Sequence, residues 1–246
     1  INSIFVSILS DAEIDEFPLM TSIGPVLTIL AIYFVFVLKI GPAFMRKREA
    51  YKLTNVMLLY NAVQVVISLY LMEISLLCLA GKTRWHWILF GTYLYLVAKL
   101  TELLDTVFFV LRKKNNQITF LHLYHHSIMV IGTWTMLKYW PSHTLIFIGF
   151  LNSFVHVVMY SYYGLAALGP NVAKHLTWKK HITKLQLVRF VFFFTSFKKL
   201  HPCVAIFVSC NTVVILLLFL NFYRQRYNKR KVLNVVMNST YCFKEE

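Results

Sequence analysis

The amino-acid sequence predicts an all-α integral membrane protein with about seven transmembrane helices. Three observations carry this expectation. Of 246 residues, 58% are hydrophobic and 14% charged, against about 25% charged in soluble domains; mean hydropathy is +0.62. The apolar residues come in blocks of about twenty or more, the length that crosses roughly 30 Å of hydrocarbon, not in the amphipathic periods of a soluble core. The basic residues fall between those blocks, with a strong bias to one side.

The spans are expected at 22–40 (closed by Gly41-Pro42), 55–80, 85–111, 118–137, 144–168, 183–197 and 202–223. The segments after spans one, three, five and seven hold seventeen Lys and Arg, and the segments on the other side hold five. That bias places the N-terminus outside or in a lumen and the C-terminus in the cytosol. An even number of spans would break the alternation. Trp85, Trp87, Trp140 and Trp178 fall at span ends, as interfacial aromatics do. No repeat or long linker divides the chain, so 1–246 reads as one polytopic membrane domain with a lumenal head (1–21) and a cytosolic tail (224–246).

The net charge of +15 does not point to nucleic acid, because the basic residues sit in short runs flanking apolar blocks. Membrane lipids are the expected neighbours. Cys78, Cys203, Cys210 and Cys242 form neither a CxxC pair nor a zinc spacing, and read as small core residues. The chain begins with Ile1, which leaves its natural start open, and the acidic stretch from Asp11 to Glu16 is the wrong flank for a cleavable signal peptide.

Chemistry concentrates in four places. In span three, Lys99, Glu102 and Asp105 stand at i, i+3 and i+6, one stripe of a helix. A charge at membrane depth costs at least a few kcal/mol unless paired or hydrated. Lys99 is about 20 Å from the loop at Arg112, too far for simple snorkelling, so a functional pairing is favoured. In span four, His122, His125 and His126 stand at i, i+3 and i+4 and converge on one side. Three imidazoles are hard to explain as packing. They can bind a metal or supply a nucleophile and its proton partners. In span five, Asn152, His156, Tyr160 and Tyr163 share a face; His156 is far from either loop and needs a partner, for which Asn152 and Tyr160 are one turn away. In span six, Thr183, Gln186, Arg189 and Phe190 share a face, although alone they also fit an ordinary interfacial helix start.

Taken together, these residues resemble a family. The stretch from Lys99 through Glu102, Asp105 and Thr106 to Arg112, then His122-Leu-Tyr-His125-His126, resembles the fatty-acid elongases of the endoplasmic reticulum. So do His156-Val-Val-Met159-Tyr160-Ser-Tyr162-Tyr163, the early Gly41-Pro42-Ala-Phe-Met45 and the late Asn221-Phe222-Tyr223. Thr183-Lys-Leu-Gln186 resembles the family's TxxQxxQF element, with Arg189 in place of the second Gln. The resemblance covers roughly residues 20–230, and several motifs in the right order make it specific.

The resemblance implies seven helices, six forming a barrel around an acyl tunnel. It implies an acyltransferase, a very-long-chain 3-oxoacyl-CoA synthase. That enzyme joins a long-chain acyl-CoA with malonyl-CoA to give 3-ketoacyl-CoA, CoA and carbon dioxide, by a ping-pong route through an acyl-imidazole. His125, the middle histidine of the box, would be the nucleophile. His126 and His156 would supply donors or move protons, and His122 would orient the box. Lys99, Glu102, Asp105, Asn152, Tyr160, Tyr163, Gln186 and Arg189 would bind substrate or shape the site. Lys113, Lys114, Lys179 and Lys180 would attract the anionic CoA head. Arg189 puts a permanent cation where the family has a neutral amide. The resemblance further implies no cofactor and no metal. It places the protein in the endoplasmic reticulum membrane, with other elongation-cycle enzymes as partners and a homodimer among the assemblies.

Two rivals fit less. A membrane di-iron desaturase or hydroxylase also uses HxxHH boxes, but needs about eight histidine ligands in several boxes; His86, His143, His175 and His201 are scattered near span ends. A seven-helix receptor explains span number and orientation but not a histidine triplet beside a Lys-Glu-Asp stripe.

Overall fold

The computed structural model describes residues 12–82, 84–196 and 202–225, and these are helices joined by short connections. Two compact units are present, Ile1–Leu176 and Thr177–Glu246. In the first, α1 runs Gly24–Met45, α2 Thr54–Leu79, α3 Trp85–Thr101, α4 Leu104–Leu111, α5 Phe120–Tyr139 and α6 His143–Ala167. In the second, α7 (Lys179–Ser196) and α8 (Pro202–Tyr223) pack on each other.

Among the described residues, four helices are long and apolar enough to cross a membrane: α1, α2, α6, and α8 over Ala205–Tyr223. Their outward faces are lined with large apolar side chains, including Ile32, Leu59, Val66 and Ile206, each about two-thirds exposed. Water would penalise such faces and lipid would not. The molecule is a multi-pass membrane protein. The expected seven spans are thus met only in part by length and composition. The third is shorter as a continuous helix, and the fourth, α5, carries the polar histidine box.

Two expected spans differ in detail. The first does not stop at Gly41-Pro42 but continues to Met45. Proline lacks an N–H and clashes with the carbonyl four residues back. Here the helix widens just before it into a π-turn, Phe36–Ile40, closed by the Gly41 N–H on the Phe36 carbonyl. Pro42 then opens the last α-helical turn, where its missing donor costs nothing. Gly41 is needed for a different reason. A Cβ there would lie 2.6 Å from Val110 Cγ1 and 2.9 Å from the Phe36 carbonyl oxygen. The glycine lets α1 lie directly against α4.

The second difference concerns 85–111, which is two helices and not one. The chain tightens at Glu102–Leu103, where successive N–H groups bond three residues back: Leu103 to Leu100, Asp105 to Glu102 and Thr106 to Leu103. This is 3₁₀-type winding, which brings i and i+3 side chains nearly into line.

The helices of the first unit pack as α2 on α6, α3 on α5, α2 and α6, and α1 on α4 and α5. The main apolar core gathers Val26, Leu30 and Val37 of α1, Leu89 and Leu96 of α3, Val110 of α4, and Val130, Trp134 and Leu137 of α5. Residues 12–20 of the expected lumenal head join it. Ile14 and Met20 are fully buried, Phe17 stacks on Tyr93, Trp134 donates to the Leu19 carbonyl, and Asp15 and Glu13 pair with Lys138 and His86.

Replacing Gly41 with Leu should overpack the α1–α4 contact and destabilise the fold by about 1–3 kcal/mol. The thermal midpoint of detergent-solubilised protein should fall, and Val110→Ala should recover part of the loss. An unchanged midpoint would show that α1 does not depend on this approach.

Candidate active site

The charged stripe and the histidine-bearing face of α6 meet rung by rung. Lys99 Nζ donates to Asn152 Oδ1 at 2.6 Å and to Glu102 Oε1 at 2.6 Å. His156 Nδ1 lies 3.2 Å from the same Glu102 oxygen. The Tyr160 hydroxyl donates to Asp105 Oδ2 at 2.8 Å. Positions 99, 102 and 105 thus oppose 152, 156 and 160 in the same order. The tightened turn at Glu102 keeps its three carrier residues in line while α6 supplies the ordinary i, i+4, i+8 face. Lys99, Glu102, Asn152 and Tyr160 are each 2% exposed or less. The Lys99 ammonium also sits 4.8 Å from the centre of the Tyr95 ring, a cation–π contact.

His156 also has a partner that its own helix does not supply. Its ring packs against that of Tyr160, 5.5 Å between centroids, and its Nδ1 faces Glu102, while Asn152 Oδ1 accepts from Lys99 and the Tyr160 hydroxyl donates to Asp105. A buried carboxylate flanked by an ammonium and an imidazole is compensated electrostatically, which a lone carboxylate at this depth would not be.

The histidine box arrives on the first turns of α5. Thr119 caps that helix, its Oγ1 accepting the His122 N–H at 3.2 Å. The cap fixes the register, so His122 falls in the first turn and His125 and His126 in the next. The His122 and His126 ring centroids are 4.4 Å apart, and those of His125 and His126 are 5.3 Å apart. His126 is buried, and its Nδ1 faces Glu102 Oε2 at 3.8 Å, both atoms otherwise without a hydrogen-bond partner among the described residues. One carboxylate therefore has one oxygen toward Lys99 and His156, and the other toward His126. His125 sits beside this core, partly buried. His122 Nε2 bonds Thr106 Oγ1 at 2.8 Å, and Thr106 bonds the Tyr33 hydroxyl at 2.8 Å.

Tyr163 is at the edge, 37% exposed, with its ring against those of Tyr160 and Tyr162. Gln186 lies on α7 in the second unit. Arg189 is on the same helix, and its side chain lies outside the described residues. Residues not singled out by spacing also surround the cluster. Tyr60 packs edge-on against Tyr160, and Gln64 donates to Thr101 Oγ1 at 3.0 Å. A signal for α2 did exist: Asn61, Gln64, Ser68 and Ser75 form a buried polar stripe in an apolar span. Tyr33 gave none, being one aromatic in an apolar block.

Next to the cluster, Tyr95 and Ser153 border a small crevice of about 20 Å³ between α2, α3 and α6, lined further by Leu71, Ile74, Ile88 and Leu145. Among the described residues, no group of three His, Cys, Asp or Glu side chains is placed to hold a metal ion.

A multi-pass helical membrane protein with histidines from two helices gathered on one buried carboxylate is the class this geometry defines. Over residues 18–234 the chain matches the ELO: GNS1/SUR4 family. It is 36% identical over 245 residues to the Drosophila melanogaster protein named very long chain fatty acid elongase 7, covering 90% of this chain and 74% of that one. The rat protein of the same name is 36% identical over 256 residues, 95% of this chain and 91% of that one. Mouse very long chain fatty acid elongase 1 is 35% identical over 246 residues, 90% of this chain and 88% of that one. The chain belongs to the ELO family.

Changing Lys99 to Met should leave Glu102 and the Asn152 oxygen without their cation. Removing one partner of such a buried pair costs about 3–5 kcal/mol. Adding Glu102→Gln should recover part of it, read as a coupling in a double-mutant cycle of unfolding midpoints. Simple additivity of the two changes would mean that the pair does not act as a unit.

Proposed function

We propose that this protein acts in fatty-acid elongation as the condensing enzyme. It would join a long-chain acyl-CoA with malonyl-CoA to give 3-ketoacyl-CoA, CoA and carbon dioxide. The observation that carries the reading is the convergence of the α5 histidine box and His156 on Glu102 in a chain of the ELO family. The names of the relatives support the substrate class.

The chemistry divides into two half-reactions. In the first, the His125 imidazole attacks the acyl thioester, forming a C–N bond and breaking the C–S bond, and the CoA thiolate leaves with a proton. The resulting acyl-imidazole stays activated toward a carbon nucleophile. In the second, malonyl-CoA loses carbon dioxide. The enolate left behind attacks the acyl carbon, forming the C–C bond and breaking the C–N bond, and the departing imidazole takes up a proton from solvent to replace the one lost with CoA. Donors beside the enolate oxygen lower that barrier. Glu102 lies between His126 and His156 and suits them for this work, holding both rings in place and balancing the positive charge of a protonated imidazole. Lys99 and Asn152 in turn hold the carboxylate still.

The same reading places the chain in the endoplasmic reticulum membrane with seven spans, six of them forming a barrel. The N-terminus is lumenal and the C-terminus cytosolic, so the basic segments meet the CoA head on the cytosolic side. The Asn238-Ser-Thr240 sequon should then remain unglycosylated in cells; a glycan at Asn238 would reverse the orientation.

Membranes containing the full chain should incorporate labelled malonyl-CoA into 3-ketoacyl product with long-chain acyl-CoAs. His125→Ala should lower that rate by at least about 10³-fold, as loss of a nucleophile does. Full activity in His125→Ala would refute the nucleophile assignment. No product from folded wild type with any acyl-CoA would refute the condensation reading.

A further inference from the structure

We infer that Tyr33, on α1, is a positioning residue that determines which ring nitrogen of His122 carries the proton, acting through Thr106. The kinetic part of this inference rests on the condensation reading; the structural part does not.

Three helices contribute one group each to a continuous chain of hydrogen bonds. The Tyr33 hydroxyl of α1 is 2.8 Å from Thr106 Oγ1 of α4, which is 2.8 Å from His122 Nε2 of α5. Thr106 is fully buried and Tyr33 is 6% exposed, so water does not satisfy these groups in place of one another. Two directions of donation are conceivable. If His122 Nε2 carried a proton, it would donate to Thr106 and Thr106 would donate to Tyr33. The tyrosine O–H would then need a further acceptor, and the hydroxyl makes no other hydrogen bond among the described residues. A buried donor left unpaired is disfavoured. In the opposite direction both hydroxyls find an acceptor. Tyr33 O–H donates to Thr106, and Thr106 O–H donates to an unprotonated Nε2. His122 then holds its proton on Nδ1, the nitrogen outside the chain, and enters the box as a donor with a defined tautomer.

The packing of α1 serves the same end. Gly41 lets the helix lie against Val110 of α4, one turn beyond Thr106 on the same helix. The π-turn between Tyr33 and Gly41 allows the chain to continue through Pro42 without leaving that contact. Thus α1, which supplies no histidine or carboxylate to the site, is tied to the box by hydrogen bonds as well as by apolar contact. His122 is in turn in ring contact with His126, so a change of its tautomer changes the donors offered to the rest of the box.

The test uses the full chain in lipid nanodiscs with nitrogen-15-labelled histidine. The His122 ring signals are assigned by their loss in His122→Gln. Wild type should show His122 protonated at Nδ1 and unprotonated at Nε2. In Tyr33→Phe the Thr106 hydroxyl, no longer held by the tyrosine, can turn its O–H to the backbone carbonyl one turn back, as helical threonines do, and accept from His122 instead, so Nε2–H should appear. Thr106→Val, which removes the relay, should do the same, while Thr106→Ser should keep the wild-type pattern; these serve equally if Tyr33→Phe does not fold. In the condensation assay Tyr33→Phe should lower kcat roughly five- to ten-fold, the net worth of one hydrogen bond, with KM unchanged. A protonated Nε2 in wild type would overturn the inference. So would a wild-type tautomer pattern in folded Tyr33→Phe, whatever its rate or the pattern in Thr106→Val. A Tyr33-dependent tautomer in a wild type without condensation activity would uphold the positioning role and sink the condensation reading instead.

Discussion

A carboxylate buried at membrane depth is the constraint from which the arrangement of the first unit follows. Glu102 cannot stay ionised there without compensation, and its neighbours supply it: Lys99 on one oxygen with His156 beside it, His126 opposite the other. Lys99 has the same difficulty with the opposite sign and is held by Glu102, Asn152 and the face of Tyr95. Each of these contacts joins α3 to another helix or to itself. The apolar surfaces bring α3, α5 and α6 together, but they do not choose an azimuth. The polar rungs do, because a rotation of any helix by one residue would strand a buried charge.

The interruption of the third span is part of the same solution. A regular helix drifts around its axis over positions 99, 102 and 105. Tightening at Glu102–Leu103 keeps them opposite 152, 156 and 160, so Asp105 reaches Tyr160 while Glu102 stays with Lys99. A local departure from ideal helix geometry is stabilised by the side-chain contacts it permits, and those contacts belong to the site. The π-turn of α1 is comparable. It accommodates Pro42 and keeps α1 on α4, where Tyr33 meets Thr106.

The site also shows how one carboxylate can serve several imidazoles. Glu102 lies between histidines of two helices, so movement of a proton on one alters the field at the other. A second carboxylate, Asp105, is engaged by a tyrosine and not by a histidine. Two acids on one stripe thus have different partners, and the difference comes from which rung of α6 each one faces.

Much of this was legible in the residues themselves. Periodicity alone put Lys99, Glu102 and Asp105 on one stripe, the three histidines of the box on one side, and Asn152, His156 and Tyr160 on one face, because helical spacing is a local property of the chain. The membrane character was legible because apolar blocks of spanning length need no partner to be recognised. Pairing across helices was not. Whether His156 meets Asn152 or Glu102, and whether Tyr33 touches the box at all, depends on the distance and rotation between helices. Those are decided by particular contacts such as Gly41 on Val110. Sequence therefore determined which groups had to be satisfied inside the bundle. Only the tertiary structure decided who satisfies whom, since burying a charge fixes the need for a partner but not its identity.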